Sequence, residues 1–245
     1  MNRVIFPIIS LLGFLSLLVL YLAGKGYING TFELGQAFTL LRYCAYAGIT
    51  SVGLVIFYLL WQRPAGPRVM ILFVSALAGL TAFYLPYRQQ QLASQVPPIH
   101  DITTNIDSPP QFVAIAPLRA NAPNPSEYLV GETSELQRQF YPDILPIVYL
   151  QCREEVFSAV TSLAAELGWE IVDANLPDGR VEATETTQWF GFKDDVVIRL
   201  IDGSTNSTIM DVRSKSRVGR SDIGVNAKRI RNFTALLNAR LGAEN

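Results

Sequence analysis

The stretch Val4-Ile-Phe-Pro-Ile-Ile-Ser-Leu-Leu-Gly-Phe-Leu-Ser-Leu-Leu-Val-Leu-Tyr-Leu-Ala23 runs for twenty residues without a charge. A helix rises about 1.5 Å per residue and the hydrocarbon core of a bilayer is about 30 Å thick, so this run is long enough to cross it. Two further uncharged runs, residues 43–61 and 69–87, hold nineteen residues each, and Arg68 and Arg88 bound the second. In lipid the backbone must satisfy its own hydrogen bonds, which makes helix the expected form of all three. Tyr21, Tyr43, Tyr58, Trp61, Tyr84 and Tyr87 fall near the run ends, where amphipathic rings favour the headgroup level.

Charge divides the chain at the same place. Residues 1–95 hold six basic side chains and one acid, Glu33, leaving fourteen of the twenty bases and twenty of the twenty-one acids to residues 96–245. Seven charges cannot make the surface of a 95-residue soluble domain, whereas the remainder has an ordinary globular composition. The chain therefore reads as a membrane domain over 1–95, a proline-rich irregular segment over 96–150 and a soluble domain over 151–245. These counts exclude a disordered chain, a coiled coil, a disulfide-stapled miniprotein and a multi-domain soluble enzyme. The first run exceeds the apolar core of a signal peptide and lacks a small-x-small exit, so it is expected to stay. Arg3, Arg63 and Arg68 with the α-amine face Lys25, Arg42 and Arg88 across the bilayer. The two arginines crowded into the 62–68 loop favour a cytoplasmic N-terminus and place the soluble domain outside the cytoplasm, in a bacterial inner membrane. Cys44 and Cys152 cannot form an intradomain disulfide and read as small buried apolar residues. The sequons at Asn29, Asn206 and Asn232 are no more than chance supplies.

Nine of the fourteen prolines lie between Pro97 and Pro146, so few regular elements are expected there, apart from a short helix near 132–140. Its many apolar and aromatic side chains require it to pack over the domain that follows. From Cys152 the pattern becomes regular. Val156, Val160, Leu163, Ala164 and Leu167 recur at helical spacing before Gly168, which predicts a helix over 153–167. Alternation predicts strands near 169–174, 181–186, 196–201 and 207–218, and a last helix spans about 222–241. The expected fold is a two-layer α+β domain, with a four-stranded antiparallel sheet and both helices on one face.

The blocks Pro97-Pro-Ile-His-Asp-Ile-Thr-Thr104, Tyr141-Pro-Asp-Ile144, Gly191-Phe-Lys-Asp-Asp-Val196 and Asp211-Val-Arg-Ser-Lys-Ser-Arg-Val-Gly219 resemble, in this order, the family named domain of unknown function fourteen ninety-nine. The resemblance covers nearly all of 96–241. It implies a membrane-associated bacterial protein, and it brings no reaction, ligand or catalytic residue.

Residues 211–245 hold eight bases and three acids, against six and seventeen over 96–210. Arg213, Lys215 and Arg217 share one face of a strand by their spacing, Arg220 follows, and Ser221 or Asp222 caps the next helix. One reading is an anion site for a lipid headgroup or glycan, formed by Arg213, Lys215, Arg217 and Arg220 at a helix N-terminus. The other is pairing with the acidic surface of the domain. His100, the only histidine, next to Asp101, is the catalytic candidate of a metal-assisted hydrolase. Asp194 and Asp195, being adjacent in a strand, point to opposite faces. No metal motif, phosphate loop or nucleophile elbow occurs, so no metal or cofactor is expected. An acidic domain with one basic strand excludes nucleic acid. The partners that remain are the bilayer, an anionic lipid or glycan, and another membrane protein. The function these features support is a membrane-anchored envelope protein with a binding or scaffolding domain. A lipid or cell-wall hydrolase and a structural subunit of a membrane complex are the alternatives.

Overall fold

The computed structural model describes residues 2–204 and 206–242, with side chains from residue 4 onward. Arg3, which counts in the orientation argument, thus has its side chain outside the described residues. By its contacts the chain forms two units, Met1–Leu92 with Gln188–Gly191, and Ala93–Thr187 with Phe192–Asn245.

The first unit is built on helices α1 (Asn2–Ile28), α2 (Leu34–Gln62) and α3 (Pro67–Gln95). All three are long and apolar enough to cross a membrane. Each extends past its uncharged run, because the flanking polar residues keep the helical hydrogen bonds going. The Glu33 amide, at the start of α2, is satisfied by the Gln36 side chain at 2.9 Å. Apolar association between helices gains little inside lipid, so small residues that let backbones approach carry the packing. A Cβ on Gly79 would stand 2.7 Å from the carbonyl oxygen of Gly48, and one on Gly13 would collide with the carbonyl of Ser75. Ile9, Val55, Tyr58 and Leu72 fill the space between the three helices. Several hydroxyls inside the spans return to their own helix, as Thr50 does to the Tyr46 carbonyl at 2.8 Å, while the Ser75 hydroxyl of α3 reaches the Ile9 carbonyl of α1 at 3.4 Å. Phe190 packs near Tyr27 and Phe38, with ring centroids 6.0 and 5.9 Å away.

The second unit carries β1 (Asp101–Thr103), α4 (Glu132–Phe140), β2 (Ile147–Tyr149), α5 (Arg153–Glu166), β3 (Glu170–Asn175), β4 (Arg180–Thr186), β5 (Lys193–Asp202), β6 (Thr208–Ser216) and α6 (Val225–Leu241). The sheet is antiparallel in the order β1-β6-β5-β4-β3, with β2 on the same edge of β6 as β1. It therefore has six strands, not the four that alternation predicts. The extra two come from the proline-rich segment and are three residues long, too short to show a period. Their place follows from the length of β6. Ile147 pairs with Met210 and Tyr149 with Thr208 at one end, while Asp101 pairs with Lys215 and Thr103 with Arg213 at the other.

Alternation gives the sheet two unlike faces. Val181, Ala183, Val196, Ile198, Leu200, Met210 and Val212 turn toward α5 and α6, where they meet Val156, Val160, Leu163, Ile230, Phe233 and Leu237 in one core. Trp169 stacks on Phe233 with centroids 5.0 Å apart. Each such large side chain stabilises the fold by about 1.5–3 kcal/mol on burial. The opposite face is mostly polar. Its apolar patch is small, with Phe112 and Ile115 of the proline-rich segment packing on Val197.

Candidate functional site

The polar face of the sheet carries Glu182 and Thr184 from β4, Asp195 from β5, and Asp211, Arg213 and Lys215 from β6. All of them are buried, so each charge needs a partner within the fold.

Arg213 lies against Asp101 of β1, its Nε 2.9 Å from Oδ1 and its Nη2 2.8 Å from Oδ2. The rest of its fork donates to the carbonyls of Pro110 and Ser126, at 3.1 and 2.9 Å. Its guanidinium stands 4.9 Å from the ring centre of Phe112 and 5.3 Å from that of Tyr128. Burial, with the Asp101 charge nearby, pushes the Tyr128 phenol up to about 12. The ammonium of Lys215 lies 2.9 Å from the same Asp101 carboxylate and 2.6 Å from the Glu127 carbonyl. Burial lowers the Lys215 pKa and the Asp101 charge works against that.

Asp195 forms the second centre. Arg217 reaches it with Nε and Nη2, both at 2.8 Å, Arg119 with Nη1 at 2.6 Å, and the Thr184 hydroxyl at 2.7 Å. Arg119 also donates to the carbonyls of Asn124, Lys215 and Ser216, so it ties the proline-rich segment to the end of β6. Burial lowers its pKa, against the pull of Asp195. Glu182 accepts the backbone amides of Val113, Ala114 and Ile115 at 2.8, 3.1 and 2.8 Å. Asp211 holds Arg199 at 2.6 Å. Four carboxylates thus supplement the two short ladders of β1 and β2 in holding the proline-rich segment to the sheet.

The other face has its own polar group. Asp194 pairs with Arg229 of α6 at 2.6 Å, opposite in direction to its neighbour Asp195. Arg229 also reaches Glu185 at 2.5 Å, and the Ser214 hydroxyl donates to Asn226 at 2.7 Å.

Arg213, Lys215 and Arg217 are therefore brought together, but around Asp101 and Asp195 rather than around open solvent. Arg220 is exposed and has no ion-pair partner among the described residues. The N-terminus of α6 is capped from within, because Asp222 accepts the amides of Gly224 and Asn226 at 2.8 and 2.7 Å. Burial raises the Asp222 pKa, opposed by those two bonds. The Nδ1 of His100 stands 3.3 Å from the Arg220 carbonyl. Burial lowers its pKa, so the ring is neutral near pH 7; the contact with that carbonyl pulls the other way. The Asp101 carboxylate is held by Arg213 and Lys215, and it acts on His100 through its charge, which raises the His100 pKa against burial. Among the described residues no three His, Cys, Asp or Glu side chains gather as a metal site.

Sequence reasoning passed over Arg119, Glu182 and Gln137. The amide of Gln137 accepts from the Thr103 amide at 3.0 Å and donates to the Thr103 carbonyl at 2.5 Å, which closes the outer side of β1. For Arg119 a signal exists: it is the only cation between residues 96 and 137, amid apolar residues and prolines. An open groove lies between the approach to β2 and α6, lined by Asp143, Ile144, Pro146, Val148, Ile230 and Thr234 among others.

A family model described as Protein of unknown function (DUF1499) matches residues 101–237, more than half of the chain, and the chain belongs to that family. The matched span holds the network from Asp101 to Arg229 and none of the three long apolar helices. No curated protein matches the chain.

Proposed function

We propose that this family member is a membrane-anchored scaffolding protein of the bacterial envelope. Three spans would hold it in the inner membrane, and its α+β domain, outside the cytoplasm, would bind a partner through its surface with no chemistry of its own. The observation that carries the reading is the pairing of the buried charges. Asp101, Asp195, Asp211 and Glu182 are each bound to a cation or to backbone amides of the proline-rich segment. Charges so committed make a rigid platform, because removing either member leaves the other buried and uncompensated. Of the cations in the basic strand and its extension, Arg220 remains to meet an anionic lipid or glycan, as one contact at the rim of a larger surface.

The rival is a hydrolase of lipid or cell-wall material in which His100 moves a proton. The two are separated with full-length protein in nanodiscs of bacterial phospholipid, incubated with those lipids and with peptidoglycan fragments, products being followed by mass spectrometry. The scaffolding reading expects no product. A product formed by the wild type and lost in His100→Ala overturns it.

A further inference from the structure

The outer edge of β6 is shared by two short strands, and only one of them is closed on its far side. Gln137 closes β1. The opposite edge of the sheet, β3, is blunted by Glu170, Asp173 and a register shift between Ile171 and Asp173. Along β2, in contrast, the segment from Ile144 to Gln151 has no charged residue, and Leu145, Val148 and Leu150 are 61%, 58% and 85% exposed. β2 is blunted only by its length of three residues and by Pro146 beside it, and the free amide and carbonyl of an uncharged, exposed edge can still pair with a strand that arrives.

The direction of those groups follows from the ladder. The Ser216 amide donates to the His100 carbonyl and the Thr104 amide to the Val212 carbonyl, so even-numbered residues of β6 point toward β1 and β2. Ile147 and Tyr149, opposite Met210 and Thr208, accordingly spend their backbone groups on β6. Val148 turns its N–H and C=O outward, and Pro146, two residues earlier, turns its C=O outward with no N–H to leave unpaired.

We propose that a second copy of this chain closes this edge, β2 pairing antiparallel with β2 about a two-fold axis at Val148. In that register each Val148 amide donates to the other copy's Val148 carbonyl, and each Leu150 amide reaches the other copy's Pro146 carbonyl. Pro146 has no N–H to return, so each Leu150 carbonyl is left to water at the end of the ladder. Charge favours the same arrangement. Asp143 and Arg153 each lie five residues from Val148, so the two-fold axis brings Asp143 of one copy toward Arg153 of the other, with Glu154 and Glu155 following inside α5. The Asp143 and Arg153 side chains keep solvent access beside their internal partners, Arg231 at 2.6 Å and Asp202 at 3.4 Å. The soluble half is otherwise net acidic, so two copies repel over most of their surface and least along this uncharged strip. The proposal rests on the scaffolding reading and names its first partner.

The test uses the full chain in nanodiscs of bacterial phospholipid. Native mass spectrometry is expected to show a dimer for the wild type and at least a tenfold loss of dimer for Val148→Lys, whose side chain projects into solvent in the monomer. In a Cys44→Ser, Cys152→Ser background, Val148→Cys is expected to form a covalent dimer on mild oxidation in native membranes, whereas Leu129→Cys does not. A monomeric wild type, or a dimer unchanged by Val148→Lys and not cross-linked through Val148→Cys, overturns the proposal. Neither result produces the reaction product that would overturn the scaffolding reading, so the two fail separately.

Discussion

Asp101 and Arg213 stand 112 residues apart in sequence and meet through two parallel hydrogen bonds, 2.9 and 2.8 Å long, with neither side chain exposed by more than 4%. This pair joins a three-residue edge strand to β6 and places a cation of the basic strand inside the domain. A buried pair of this kind adds little stability over an apolar one, but losing one member is expensive. The consequences below follow from that asymmetry.

Asp195→Asn leaves Arg119 and Arg217 facing a neutral amide, with Arg119 fully buried. The expected loss is about 3–5 kcal/mol of stability. Denaturant unfolding of the full chain in detergent, followed through the fluorescence of Trp169 in the core, measures it.

Glu182→Gln keeps the shape of the side chain but replaces one of two acceptor oxygens by a donor, so either the Ile115 amide or those of Val113 and Ala114 lose their acceptor. A cost of about 1–3 kcal/mol follows for the unsatisfied amides. Hydrogen exchange should quicken at residues 113–115 first, while the amides of β5 stay protected.

Arg220→Ala and Arg217→Ala should differ although the residues are three apart. The exposed Arg220 is replaced within about 0.5 kcal/mol of wild type. Arg217, bound to Asp195 through two nitrogens, costs about 1.5–3 kcal/mol by the worth of hydrogen bonds to charged groups. Parallel thermal unfolding of the two variants decides it.

His100 gives stability an acid limb. Burial lowers its pKa below the ordinary histidine value of about 6.5, so the folded state binds the proton less readily than the unfolded chain. Its contribution is whole above about pH 6.5 and declines as pH falls through the interval between the unfolded and folded values. His100→Asn is expected to flatten the dependence of the unfolding midpoint on pH between 7 and 5, and an unchanged slope counts against this role.

In the membrane unit, Gly79→Leu places a side chain where a Cβ already lies 2.7 Å from the Gly48 carbonyl. The helices must part, and about 1–3 kcal/mol is lost, the usual cost of overpacking. A Cβ on Gly53 meets nothing within 4 Å, so Gly53→Leu serves as the control. Thermal denaturation in a mild detergent should separate them.

The sequence made the apolar helices legible because the absence of charge over residues 4–23, 43–61 and 69–87 has no other physical use. α5 and α6 were legible through their 3.6-residue period, and the opposed directions of Asp194 and Asp195 through the two-residue period of a strand. Strands β1 and β2 were not, since three residues carry no period and their place is set by the unfilled edge of β6. The basic run stood out in the sequence, but its counter-charges did not. Asp101 reaches β6 only after the proline-rich segment has folded across the sheet, as does Arg119, which shares Asp195 with Arg217, and nothing local to Arg213 or Arg217 announces either. The free edge at β2 was hidden for the same reason, because an edge exists only once the strand order is known.

The central claim is that the cations of β6 hold the domain together from inside, and a double-mutant cycle on Asp101 and Arg213 tests it most directly. Unfolding free energies of Asp101→Asn, Arg213→Gln and the double variant are measured in the full chain. The account predicts about 3–5 kcal/mol lost in each single variant and a double variant that loses well under the sum of the two. Single variants that both remain within about 0.5 kcal/mol of wild type, as solvent-facing ligand residues would, contradict it.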